Sequence, residues 1–393
     1  MEYKMVTPAN LPQVMALWDY CFEKMDTPFF EWYFSEYCLK NNLVLGGFEE
    51  KNGRLANMLH LNPYNVSLRG HKEAMPYIVG VATDPAARGQ HLTTPLLEMA
   101  FKVLRGERFA FALLMPINAG IYLPYDFAYC YYKHAYKLPL TELNLPPLQT
   151  EVRVERITDF DAGYFAPVYA AFAAQHNGMV VRNEFQWHKL LTVHKLEKVQ
   201  AAVTFAGDRL TGYMFYILEA DTFKIQELIA LDLDARTALL QYAKGHLSQA
   251  AMLEWGAPVD DLTYLNFKEQ KYTGRLEPFM MARCIDGATA LQSLTIPAGM
   301  PDGEVTLLLS DRLIKLNNYL LKLTVSQGKL SMTLTDAIED LTMGMGAFTQ
   351  LYFGTFSATE LAAAGKIKVT APEKLAFLDA LFPKETNYIN EYF

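Results

Sequence analysis

The chain has 393 residues, 51% of them apolar and 20% charged, which describes a folded protein too long for one ordinary core. Its formal net charge is −8 and no third of it carries more basic than acidic residues, which excludes the basic face that nucleic acid or an anionic membrane surface requires. Its four cysteines, Cys21, Cys38, Cys130 and Cys284, lie far apart without a CxxC pair, so the expectation is free thiols in a reducing cytoplasm and no disulfide or zinc framework.

The N-terminal run has acidic residues and an early proline, Pro8, and does not read as a signal peptide. No stretch approaches the length of a membrane helix. Leu11, Val14, Met15, Leu17 and Trp18 are spaced for one helical face, and "TPFFEWYFSEYCLK" reads as a second helix. Strands are expected at "LVLGGFEE", "LANMLHL" and "MPYIVGVAT". The last of these breaks at Asp84-Pro85 into an Arg-Gly turn, followed by a helix carrying Leu96, Leu97, Met99, Ala100 and Val103. Strand, turn and helix form the architecture that holds a phosphate, because the first amides of a helix lack partners within it. Another strand, "FAFALLMP", follows.

Residues 137–150, rich in proline and without a period, read as a linker. Beyond them "VQAAVTFAGDRLTGYMFYIL" is expected to form two strands around Gly207-Asp208, "KIQELIAL" a third, and "ARTALLQYAKGHLSQA" a helix. This order resembles the first segment, as though one fold occurred twice. After a second seam near Gly274 and Pro278 the pattern changes to short strands in hairpins, with turns at Asn317-Asn318 and "SQGK". Helices are expected at "AIEDLTMGMGAFTQLYF", "SATELAAAG" and "APEKLAFLDALF", the first packing closely through its glycines. The reading is α/β for the first two segments and α+β for the last. The histidines have no companions at metal spacing, so no metal is expected.

"IVGVATDPAARGQHL", with "NAGIYLPYDFAYCYY", "GYMFYI", "IQELIAL", "LEWGAPVDD", "MMARCID" and "LFPKETNYINEYF" in this order, resembles the Eis family of the GNAT acetyltransferase superfamily. The resemblance implies two tandem GNAT-like domains, 1–145 and 150–276, and a sterol-carrier-like domain, 277–393. It implies acetyl-CoA as cofactor, with the pantetheine arm on the backbone of Val79 and Val81 and the pyrophosphate on Arg88, Gly89, Gln90, His91, Thr93 and Thr94. Arg88 is a permanent cation, Gly89 lets backbone approach, and Pro95 is tolerated in a first turn. The superfamily commonly places a side chain against the cofactor at the end of "FALLMPIN", which makes Asn118 a further candidate. The superfamily motif Arg/Gln-x-x-Gly-x-Gly/Ala reads here Arg88-x-x-His91-x-Thr93. If the His91 position needs only helical dihedrals, its amide still serves. If it needs bare backbone, the side chain obstructs.

The family's base is the C-terminal carboxylate, here that of Phe393, and its acid is a tyrosine. Aligning from Gly120-Ile121-Tyr122 puts Phe127 at the acid's position, whereas aligning from "KLPL" puts Tyr129 there. Only Tyr129 can give a proton. Glu23, Asp26, Trp32 and Glu391 offer carboxylates and rings to a cationic amine. The expected function is N-acetyl transfer by direct attack of a primary amine on a cationic small molecule, aminoglycoside-like, or a peptide. The alternatives are a non-catalytic binding protein on a degenerate GNAT shell and a longer-chain acyltransferase. The resemblance also implies a homo-oligomer, with a hexamer the best-known assembly.

Overall fold

The computed structural model describes residues 1–272 and 274–392. Its contacts divide the chain into two units, Met1–Cys130 with Phe279–Glu385, and Tyr131–Pro278 with Thr386–Tyr392. One order of elements occurs twice, a strand, two helices, three strands of the main sheet, a helix and two strands, with an extra hairpin, Asn65–Leu68 and His71–Ala74, inserted in the first copy. In the first copy the three strands are Leu43–Phe48, Leu55–Asn62 and Tyr77–Thr83, and the helix after them is Thr93–Gly106. In the second they are Gln200–Ala206, Arg209–Glu219 and Thr222–Ala230, with the helix Leu233–Lys244.

The closing strands explain the cut. The strand that ends the first copy, Ala128–Pro139, pairs through residues 134–139 with Met252–Ala257 of the second unit. The strand that ends the second copy, Arg275–Cys284, pairs through residues 281–284 with Phe111–Leu114 of the first unit. The proline-rich seam expected at 137–150 therefore begins inside a strand of the second unit. Each unit completes its sheet with a strand from the other copy.

In the first unit the sheet alternates as period 2 requires. Val44 and Met58 face Val14, Trp18 and Tyr33 of the N-terminal helices. Leu45, Leu59 and Leu61 face Leu96, Leu97 and Ala100 of the helix Thr93–Gly106. The same unit carries a five-stranded sheet that orders Lys329–Leu334, Tyr319–Ser326, Gly303–Ser310, Leu341–Gly344 and Ile367–Val369. Helices of the C-terminal segment complete an α+β arrangement. One expectation fails here. Within "AIEDLTMGMGAFTQLYF", Leu341–Gly344 is a strand, parallel to Gly303–Ser310, and only Met345–Tyr352 is helical. Leu341 and Met343 are buried while Thr342 and Gly344 are half-buried, an alternation too short to stand out beside the helix.

Candidate cofactor cleft

The cleft begins where two strands cease to pair. Tyr77–Thr83 pairs in parallel with Phe111–Leu114 only at Tyr77↔Leu113 and Ile78↔Leu114. Phe111–Leu114 ends there, so from Val79 onward the pairing of these two strands stops. On its other side Tyr77–Thr83 follows Leu55–Asn62, with a register shift between Met58 and His60. Gly80 sits at that bulge with φ +58°, and a Cβ there would lie 2.6 Å from the Trp18 ring. Glycine is therefore required at this position for both its backbone and its space. The bulge bends the strand at Val79 and Val81, the residues expected to take the pantetheine arm.

The turn beyond is built to stay open. Asp84 Oδ1 accepts from the Ala86 amide and caps a short 3-10 turn, Pro85–Ala87. Arg88, Gly89, Gln90 and His91 follow on the surface. Gly89 has φ +78° with no atom within 4 Å of an added Cβ. His91 has φ +55°. The backbone is therefore left-handed, as a glycine would hold it, rather than helical, and the side chain is exposed. Histidine is among the residues that tolerate this region. The helix Thr93–Gly106 then starts without a side-chain cap, so the amides of Thr93 and Thr94 stay available to an anion. Asn57 Nδ2, buried, donates to the Leu92 carbonyl at 2.8 Å and fixes the entry to that helix. Asn118 lies just beyond Phe111–Leu114, exposed, its Oδ1 capping Gly120 N at 2.9 Å.

The segment with the candidate acid is pinned by the C-terminal part of the same unit. Arg283, fully buried, donates from Nε to the Tyr125 carbonyl and from Nη2 to Asp311 Oδ1 at 2.8 Å, with its guanidinium 4.3 Å from the Phe101 ring. Gln350 Nε2 donates to the Tyr129 carbonyl and Thr355 Oγ1 to that of Cys130, both at 3.0 Å. Thr94 Oγ1 meets Tyr125 Oη at 2.8 Å, tying the start of the helix to this segment. Phe127 is buried in the core against Tyr122 and Phe101. Tyr129 is half-buried, and burial pushes its hydroxyl above the ordinary tyrosine range. Burial also raises the Cys130 thiol, so it is no ready nucleophile.

Of the expected acceptor residues, Asp26 is exposed and Glu23 and Trp32 are half-buried, all at the N-terminal helices. Glu391 is elsewhere. It is 5% exposed in the second unit, and its Oε1 accepts from Arg182 Nε at 2.8 Å. That carboxylate is occupied by a buried guanidinium, so it is unavailable to an amine. Phe393 lies outside the described residues. Arg283, Gln350, Thr355, Asn57 and Gly80 are missed by sequence reading. The arginine within the apolar run "MMARCID" is the one visible signal among them.

Residues 2–130 match the acetyltransferase (GNAT) domain model Acetyltransf_9, residues 178–284 the acetyltransferase (GNAT) domain model Acetyltransf_17, and residues 288–390 a sterol carrier protein domain. The N-acetyltransferase Eis of Mycobacterium tuberculosis is 26% identical over 241 residues. That match covers 60% of this chain and 58% of the relative, so the chain spans under two thirds of the curated protein it matches. A probable N-acyltransferase of unknown function from Enterococcus faecalis shares the fold at TM-score 0.89 and 22% identity, covering 100% of this chain and 99% of that one. Eis1 from Mycobacterium abscessus shares it at TM-score 0.77 and 18% identity, over 100% of both chains. Among the described residues no helix is long and apolar enough to cross a membrane.

Proposed function

We propose that this chain, which belongs to the Eis-like GNAT acetyltransferases, is an acetyl-CoA-dependent N-acetyltransferase that acylates a primary amine of a cationic small molecule or peptide. The observation that carries the reading is the strand pair whose pairing stops at Ile78↔Leu114, followed across the turn 84–92 by an uncapped helix N-terminus. A parallel pairing that stops there leaves main-chain groups to extend toward a pantetheine arm, and the free amides with Arg88 suit a pyrophosphate. Val79 and Val81 would hold the arm, the turn from Arg88 through His91 with Thr93 and Thr94 the phosphates, and Asn118 the cofactor's far side. The bound thioester supplies the activated acetyl group.

The chain's own residues must then manage protons. An alkylammonium has a pKa of about 10.4 and needs a base at neutral pH. In this reading the carboxylate of Phe393 is that base. Tyr129, whose hydroxyl burial keeps protonated, is the acid that serves the leaving thiolate. Asp26, Glu23 and Trp32 would attract the cationic acceptor. Direct attack is favoured because Cys130 is buried and its thiol raised. The domain division 1–145, 150–276 and 277–393 and a homo-oligomeric state belong to the same proposal, the latter read by light scattering.

Calorimetric titration with acetyl-CoA tests the core of it. Micromolar binding, followed by amine-dependent release of free thiol, is the expected result. Absence of binding up to millimolar acetyl-CoA would leave a non-catalytic shell. Extension of the chain beyond Phe393 is expected to abolish thiol release while leaving acetyl-CoA affinity unchanged.

A further inference from the structure

The second copy of the fold also opens. Thr222–Ala230 pairs in parallel with Met252–Ala257 only at Thr222↔Met252, Phe223↔Leu253 and Lys224↔Glu254. The strands part after Lys224, and between their ends is a cavity of about 180 Å3. This copy is not arranged for a pyrophosphate. Two residues, Leu231 and Asp232, join its strand to its helix, where nine (84–92) do so in the first. Asp232 Oδ1 caps the helix through Ala235 N, and Asp234 accepts from the amides of Gln149 and Thr150. Carboxylates stand where phosphates would need free amides, and they would repel an anion.

The cavity walls decide what suits it instead. Phe172, Leu228, Leu240 and Trp255 make an apolar body. Arg236 and Asp261, also in the wall, neutralise each other at 2.8 Å. Asp261 is further saturated by Tyr136 Oη and by the Thr263 amide and hydroxyl. Asp260 is different. Its carboxylate is 59% exposed and lies 3.8 Å from His176 Nε2, too long for a hydrogen bond. His176 itself bonds Phe172 O through Nδ1 and stacks on the Phe172 ring at 4.3 Å, which holds Nε2 toward Asp260. An apolar chamber with one uncompensated carboxylate beside aromatic faces recognises a cation with a compact hydrocarbon body.

We infer that this cavity is a binding site for a small primary amine, an ammonium seated at Asp260 and His176 with its hydrocarbon against Phe172 and Trp255. The volume sets the size, since a 150 Å3 apolar cavity holds benzene, so about 180 Å3 holds benzylamine. The site is separate from the cleft of the first unit and does not depend on acetyl transfer.

The test is calorimetric titration of the full chain, saturated with coenzyme A, which has no acetyl group to transfer, using benzylamine, benzyl alcohol and benzoate. Benzylamine is expected to saturate one site with a Kd of ~1 mM, benzyl alcohol to bind about tenfold more weakly, and benzoate not at all. Asp260→Asn, an exposed change with little bearing on folding, should reduce benzylamine affinity about tenfold. Ala257→Leu, checked for an unchanged cooperative melt, should fill the wall and abolish binding. No saturable binding, or benzylamine binding indifferent to both substitutions, overturns the inference. Equal affinity for amine and alcohol also overturns it, because Asp260 would then have no part.

Discussion

At His91 the chain places a side chain where the backbone takes φ +55°, and at Gly80 it places none where φ is +58°. The two positions differ in what surrounds them. His91 is exposed, so its conformation is the only constraint, and an L-residue in this region costs about 1 kcal/mol. His91→Gly relieves that strain but loosens the unfolded chain by a similar ~0.5–1 kcal/mol, so the midpoint of urea unfolding should stay nearly unchanged. His91→Val, branched at Cβ, should lose about 1–2 kcal/mol in the same measurement. If the side chain guards the phosphate site, acetyl-CoA affinity will rise several-fold in His91→Gly; unchanged affinity means that the imidazole stands clear. Gly80 is held from the other side as well, by Trp18 at 2.6 Å from an added Cβ. Gly80→Ala should therefore destabilise by more than about 2 kcal/mol and weaken acetyl-CoA binding with it. The glycine losses in the motif are legible in the sequence, but the left-handed φ at His91 is not, because the residue type only tolerates it. Gly80 stands within an apolar strand run where nothing marks a bulge.

Elements explain what single residues do not. The seven residues Thr386–Tyr392 belong to the second unit, threaded there by main-chain bonds of Asn177 with Thr386 and Tyr388 and by Asn390 Nδ2 on the Gln226 carbonyl. Arg182 is the bolt. It donates to both oxygens of Glu227 at 2.8 and 2.6 Å and to Glu391 at 2.8 Å, and lies 4.0 Å over the Tyr169 ring. Removing a buried partner is worse than never having had one. Arg182→Leu, which strands two buried carboxylates, should cost about 3–5 kcal/mol in urea unfolding of the second unit, followed by Trp187 and Trp255. Glu391→Gln keeps an acceptor and should cost about 1 kcal/mol. Equal losses in the two would show that Glu391, not Glu227, is Arg182's main partner. The apolar, aromatic tail "NYINEYF" is legible as a docked segment, but Glu391 looks like a surface acid until Arg182, 209 residues away, is seen beside it. The doubled α/β order is readable from periodicity, whereas the exchange of closing strands is not. Both closing strands are mostly apolar, and which sheet each completes is a long-range choice that local pattern does not encode.

At the scale of the whole molecule, each unit buries a histidine that stays neutral, and this fixes how the protein responds to acid. His60, 0% exposed in the first unit, has its pKa lowered by burial to about 3. His194, 8% exposed in the second, is lowered by burial to about 4, with Glu227 pulling up and Arg182 down. Unfolded, both titrate near 6.5. Below about pH 6.5 the unfolded chain therefore binds protons that the folded chain refuses. Stability is fully present above that pH and falls as pH drops, until the folded pKa is reached. Each group contributes about 1.4 kcal/mol per pH unit in that window, so between pH 7 and pH 5 each unit should lose about 2 kcal/mol. Glu227 adds to the loss only lower down. Arg182 and the hydrogen bonds to its carboxyl outweigh burial and hold its pKa below the usual range, so its contribution disappears as pH falls below about 4.5. Urea unfolding across pH 7 to 5 measures the slope, with His60→Gln as the control. This substitution gives up a 2.7 Å bond to Tyr33 Oη and so lowers stability at every pH, but it should flatten the first unit's slope and leave the second unit's unchanged. A slope that survives His60→Gln would mean that protonation of some other group drives the first unit's acid response.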